Sequence, residues 1–167
     1  MSVRSFLLRV SLGGLLCCVT ADSPSVAEGS ELFCMAEAIY FESRGETALG
    51  QLAVGITIKN RFQSNRYPDN ICKVVRQGRY FRGSPLRDQC QFSYFCDGKP
   101  ERITDFKAWE KALGLASLVL SSRVEIAGLE GVTHYHSVKV TPRWSNKLRY
   151  KTTVGRHLFY VKERSNL

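Results

Sequence analysis

The chain has 167 residues and a formal net charge of +9. That length fits one domain and excludes a second of ordinary size. The positive surplus points to an acidic partner, and no internal repeat, low-complexity tract or long linker follows residue 27.

Arg4 and Arg9 accompany an apolar run from Phe6 to Val19, and small residues follow at Val19-Thr20-Ala21 and Ser25-Val26-Ala27. This is the layout of a cleavable secretory leader. The run is shorter than the roughly 20 residues of a membrane span, and Arg9 interrupts it, so no stable membrane anchor is expected. Residues 1–27 are therefore read as a signal peptide and 28–167 as one exported domain, acting in the periplasm or outside the cell. Loss of Arg4, Arg9 and Asp22 removes a net charge of one, leaving about +8. Export argues against nucleic acid as the partner and favours an anionic wall polymer.

Cys17 and Cys18 fall in the leader, leaving Cys34, Cys72, Cys90 and Cys96. In an oxidising compartment these form two disulfides, with three pairings open. Cys90–Cys96 is favoured because it closes a short local loop, which leaves Cys34–Cys72. The set lacks the paired CxxC spacing of a structural zinc site.

Ser30 is the expected N-cap of a first helix with Leu32, Phe33, Ala36, Ile39 and Tyr40 as its buried stripe, ended by a left-handed Gly45. Thr47 caps a second helix, whose Leu49, Leu52, Ala53, Ile56 and Asn60 share a face. Tyr67-Pro68-Asp69-Asn70 reads as a turn before a short helix containing Ile71, Val74 and Val75. Residues 78–102 read as a long functional loop pinned by cysteines. Asp105 opens another helix, with Trp109, Ala112, Leu113, Ala116 and Leu120 as its stripe. The period then shifts toward two: Thr133 to Val138 and Val154 to Val161 read as strands, with a bend at Gly155-Arg156. Helices first and strands afterwards predict an α+β fold.

Three constellations could carry chemistry. In Tyr40-Phe41-Glu42-Ser43-Arg44-Gly45-Glu46, a carboxyl beside two aromatics can be desolvated and kept protonated, as a general acid requires. A solvated helix end, with Arg44 pairing two glutamates, is the commoner origin of such a pattern. His134 and His136 share one side of a strand and, with His157, could hold a catalytic zinc, although hydrogen-bonded sheet histidines are commoner. Gln91, Phe92, Ser93 and Asp97, with Tyr135 and Trp144, supply the aromatic faces and polar groups of a sugar cleft. The competing reading places Phe92 and its aromatic neighbours in the core.

The segment YFESRGE…GQLAVGITIKNR resembles the signature of the SleB/CwlJ-type (spore-cortex-lytic) cell-wall hydrolases, and CQFSYFCDG, AWEKAL, THYHSV and VGRHLFY follow in the same order. The resemblance covers residues 34–161; Ser43 stands where the family usually has alanine. It implies a helical core like that of lysozymes and lytic transglycosylases, with a small C-terminal β-hairpin. It also implies cleavage between N-acetylmuramic acid and N-acetylglucosamine. Carried onto this chain, the catalytic glutamate is Glu42. Arg44 and Glu46 would orient it or tune its pKa, and Tyr40, Gln91, Phe92, Ser93, Asp97, Tyr135 and Trp144 would contact substrate. A one-glutamate transglycosylase route, giving 1,6-anhydro ends, is favoured over two-carboxylate hydrolysis. The wall-binding repeats of the spore enzymes are not seen, so a germination role is not implied. The expected partner is peptidoglycan, met by a monomer with no metal or cofactor; an activating protein partner is compatible with this. The rival functions are a zinc amidase or peptidase and a non-catalytic wall-binding module.

Overall fold

Among the described residues four α-helices precede the C-terminal sheet, and side-chain caps start each of them. Ser30 Oγ accepts from Phe33 N at the start of α1 (Glu31–Ser43), and Thr47 Oγ1 from Gly50 N at the start of α2 (Ala48–Phe62). Asn70 caps α3 (Ile71–Val75), and Asp105 caps α4 (Phe106–Leu120). The computed structural model describes residues 26–163, so the leader expected over residues 1–27 lies almost wholly outside the described residues.

α1 packs against α2, α3 and α4, which is why Cys34, Met35, Ala36, Ala38, Ile39 and Tyr40 are all fully buried. Each fully buried isoleucine here (Ile39, Ile58, Ile71) contributes about 2 kcal/mol of transfer free energy. Gly55 sets the closest approach: a methyl group there would meet Ile39 Cδ1 at 3.1 Å and Val119 Cγ2 at 3.2 Å. The α1 stripe is therefore wider than its periodicity suggests, because three neighbours cover it.

Gly45 is not left-handed. α1 runs into a right-handed Arg44, whose N–H reaches Tyr40 O, and Glu46 N then donates to Ser43 O at 2.8 Å. The α1–α2 junction is held by buried Gln51, whose amide donates to Glu46 O at 2.9 Å.

Residues 78–102 are more regular than expected. β1 (Gly78–Phe81) and β2 (Ser84–Cys90) form an antiparallel hairpin, followed by a 3-10 turn over Ser93–Cys96. Every β1 side chain is exposed, so no buried alternation marked the strand. Cys34–Cys72 ties α1 to α3, and Cys90–Cys96 closes the loop after β2.

The C-terminal part is a three-stranded antiparallel sheet ordered β3 (His134–Ser137), β5 (His157–Val161), β4 (Arg149–Val154). The expected bend at Gly155-Arg156 is a complete turn, so a strand not foreseen, β4, precedes it. The first two residues of β4, Arg149 and Tyr150, are exposed, and charge masks its period of two.

Candidate active site

Glu42 occupies the last turn of α1, and the β3 residue Tyr135 donates its hydroxyl to Glu42 Oε2 at 3.1 Å. The carboxyl is mostly buried. Burial pushes its pKa above the usual range, while the Tyr135 hydrogen bond and the Arg61 cation pull it back. The carboxyl opens onto a cleft of about 530 Å³ whose walls include Phe41, Arg44, Ser93, Tyr94 and Asp97. Tyr94 stacks on Phe41 at 4.8 Å and donates to Glu37 Oε2 at 3.4 Å, so the 3-10 turn is anchored to α1 directly beside Glu42.

The structure brings Glu42, Arg44, Ser93 and Asp97 to one cleft, with Tyr135 behind the carboxyl. Asp97 is partly occupied already, since its Oδ1 accepts from Lys99 N at 2.8 Å and Lys99 Nζ lies 3.6 Å from its other oxygen. Four other expectations need correction. Tyr40 is fully buried, and its hydroxyl accepts from Thr104 N and Asp105 N, fixing the start of α4 rather than meeting substrate. Phe92 is 1% exposed and lies under the Arg61 guanidinium, in the core. Gln91 is exposed outside the cleft, its backbone N–H bound to Gln77 O. Trp144 packs on His134 and His136, on the side of β3 opposite Tyr135.

The supporting residues also differ from expectation. Glu46 turns away from Glu42 and receives Arg156 Nε at 2.6 Å and Arg156 N at 3.2 Å. Gly155 permits this contact, having φ +57° and a Cβ position already filled by Glu46 Oε2. Arg44 braces Tyr40 from the cleft edge, its Nη1 3.0 Å from the Tyr40 hydroxyl.

Sequence reading missed Arg61. It is 2% exposed, donates from Nε to Thr133 O at 2.8 Å, and is sandwiched between the rings of Phe92 (5.1 Å) and Tyr67 (5.7 Å). Its Nη1 is buried without a partner. A buried cation is expensive unless a nearby negative charge compensates it. Arg61 acts electrostatically on both Glu42 and Tyr135. The available signal was an arginine closing the apolar run of α2, one residue beyond the stripe that ended at Asn60.

The histidines do not converge. His136 bonds Tyr160 Oη and Ser137 O, and His134 Nδ1 lies 2.9 Å from Thr133 Oγ1. His157 lies on the other face, edge-on to Tyr135. Among the described residues no group of three or more His, Cys, Asp or Glu side chains is arranged to hold a metal.

An α+β domain with a desolvated, hydrogen-bonded carboxyl opening onto a polar cleft has the make-up of an acid/base enzyme. The chain belongs to the Cell Wall Hydrolase family, whose model matches residues 45–160; Glu42 lies just before the matched stretch. It is 40% identical over 52 residues to a spore cortex-lytic enzyme of Halalkalibacterium halodurans, covering 31% of this chain and 16% of that protein. It is 40% identical over 58 residues to one of Bacillus cereus, covering 35% and 22%. The chain thus spans under a quarter of the length of these relatives. The fold is similar to the catalytic domain of the germination-specific lytic transglycosylase SleB from Bacillus anthracis. That likeness has a TM-score of 0.60 at 24% identity, covering 83% of this chain and 99% of the other. The Bacillus cereus SleB catalytic domain gives 0.58 at 24%, covering 89% and 98%. At that identity the likeness establishes the fold.

Proposed function

We propose that this protein is an exported peptidoglycan-cleaving glycosidase that cuts between N-acetylmuramic acid and N-acetylglucosamine as a lytic transglycosylase. The observation that carries the reading is the Glu42 carboxyl, desolvated yet held by Tyr135, at the wall of an open polar cleft. Membership of the Cell Wall Hydrolase family supports the substrate class.

In this mechanism Glu42 begins protonated, because burial disfavours its charge, and gives its proton to the glycosidic oxygen as the bond breaks. The resulting carboxylate is stabilised by the Tyr135 hydroxyl and the Arg61 cation. It then takes the proton of the sugar's own 6-hydroxyl, whose oxygen closes on the anomeric carbon to give a 1,6-anhydro end. Glu42 ends protonated, ready for another cycle. One carboxyl suffices, which fits the engagement of Glu46 with Arg156, Glu37 with Tyr94 and Asp97 with Lys99.

The test is mass spectrometry of fragments released from purified peptidoglycan, with Glu42→Gln alongside. Anhydro-muramyl ends that vanish in the variant are expected. Reducing ends would replace the transglycosylase route with hydrolysis, and cut stems on intact glycan would overturn the glycosidase reading altogether.

A further inference from the structure

The sheet face turned away from Glu42 carries a second groove that glycan cleavage does not use. Trp144 stands over it, its ring 5.5 Å from each of His134 and His136 and 5.6 Å from Tyr160. These neighbours fix the indole, yet Trp144 remains part-exposed. It walls an opening of about 580 Å³ together with Lys147, Arg149 and Lys162. Arg149 and Lys162 also border a second opening of about 920 Å³, edged by Arg66, Gln63 and Asn65.

The two openings share Arg149, Lys162 and Glu163 and form one groove, which among the described residues four cations line against a single carboxylate, Glu163, paired with Arg149 at 2.6 Å. Lys162 and Arg66 also act on a neighbour, behind burial and the buried Arg61. Burial first, and then the Arg61, Lys162 and Arg66 charges, push the His134 pKa down to about 4. A fixed, part-exposed aromatic ring, two amides and a row of cations together match an acidic glycan: the ring stacks on a pyranose face, amides meet N-acetyl and hydroxyl groups, and cations meet carboxylates.

We propose that this groove is a second, non-catalytic site for a carboxylate-bearing glycan, with Trp144 as its stacking platform and Lys147, Arg149 and Lys162 as its anion contacts. The inference rests on the wall-glycan reading above. Two sites engaging one polymer raise the local concentration of strand at Glu42 without new contacts in the cleft. Short soluble fragments, which cannot reach both sites, gain nothing from it.

The experiment is co-sedimentation with insoluble peptidoglycan in a Glu42→Gln background, which separates binding from cutting. Trp144→Ala, and separately Lys147→Glu/Lys162→Glu, are expected to weaken pelleting at least about tenfold. Lys107→Glu/Lys111→Glu, the same charge change on exposed positions of α4, is expected to leave pelleting within about twofold of the parent. Equal loss in that control would reduce the groove to general charge attraction, and unchanged pelleting in both groove variants would remove the site. Lys147 and Lys162 are exposed, so their variant keeps the test open should Trp144→Ala unfold. Pelleting is measured on wall before and after its phosphate polymers are stripped; loss on stripping would assign the groove to phosphate and overturn the carboxylate assignment. Failure of the unmodified enzyme to release fragments would count against the proposed function, whereas these binding results stand apart from it.

Discussion

The Tyr135 hydroxyl lies 3.1 Å from Glu42 Oε2 although 93 residues separate them, so the last turn of α1 and the first strand of the C-terminal sheet share one hydrogen bond. That bond favours the charged form of Glu42 and opposes the effect of burial. Removing it raises the Glu42 pKa. Because bond cleavage needs the protonated acid, the alkaline limb of the rate profile should move to higher pH in Tyr135→Phe. The rate at the optimum should fall about 10- to 100-fold, the worth of a hydrogen bond to a charged group. Initial rates of fragment release across pH check both; an unmoved limb would deny Tyr135 this role.

Arg61 acts in the same direction through its charge. Arg61→Met should also shift the alkaline limb upward, and Arg61→Lys, which keeps the cation, should restore its position. Both lose the Nε bond to Thr133 O and should be destabilised by about 1–3 kcal/mol in urea unfolding. A merely structural arginine would lower stability in both variants and leave the two pH profiles alike.

The Glu46–Arg156 pair fastens the α1–α2 junction to the β4–β5 turn. Burial works to raise the Glu46 pKa, but the side-chain and backbone hydrogen bonds from Arg156 outweigh it and hold the carboxyl below its usual value. A depressed carboxyl adds stability that is present above the unfolded value of 4.5 and is lost as pH falls through the folded one. Arg156→Ala should therefore cost about 1 kcal/mol near neutral pH, since the arginine is largely exposed. The difference from wild type should shrink as the pH falls below 4.5. Thermal melts at several pH values measure it.

The two disulfides differ in the loops they close. Cys34–Cys72 spans 38 residues and Cys90–Cys96 spans 6. Loop-closure entropy makes the first worth about 4 kcal/mol and the second about 2 kcal/mol. Cys34→Ala/Cys72→Ala should lower the urea midpoint more than Cys90→Ala/Cys96→Ala does, while the latter should reduce cleavage more relative to its stability loss. The shorter bridge closes the loop that presents Ser93, Tyr94 and Asp97 to the cleft.

The helical half of the fold was legible because capping is local chemistry: Ser30, Thr47 and Asp105 each announce a helix within three residues. Of the three pairings parity left open for four cysteines, the one favoured for its short local loop is the one in the structure. What escaped was set by tertiary context. Nothing in the period of α1 says that three helices surround it, so Tyr40 read as a candidate sugar contact while its hydroxyl serves the start of α4. Arg61 drew no role, since the rings of Tyr67 and Phe92 that cover it arrive from distant segments. β4 was lost because its exposed, charged start hides the alternation. Trp144 was placed with the cleft residues as an aromatic of the later sequence; it packs on His134 and His136, which the pleat of β3 turns to the side opposite Tyr135.

The near-complete enclosure of α1 has a consequence for how the cleft moves. Hydrogen–deuterium exchange should be slowest in the enclosed body of α1 and faster in the β1–β2 hairpin, whose first strand is exposed throughout and whose second is exposed at most positions. The acid is thus a stationary post, and because Tyr94 ties the facing loop to the same helix through Phe41 and Glu37, the two banks of the cleft move as one body.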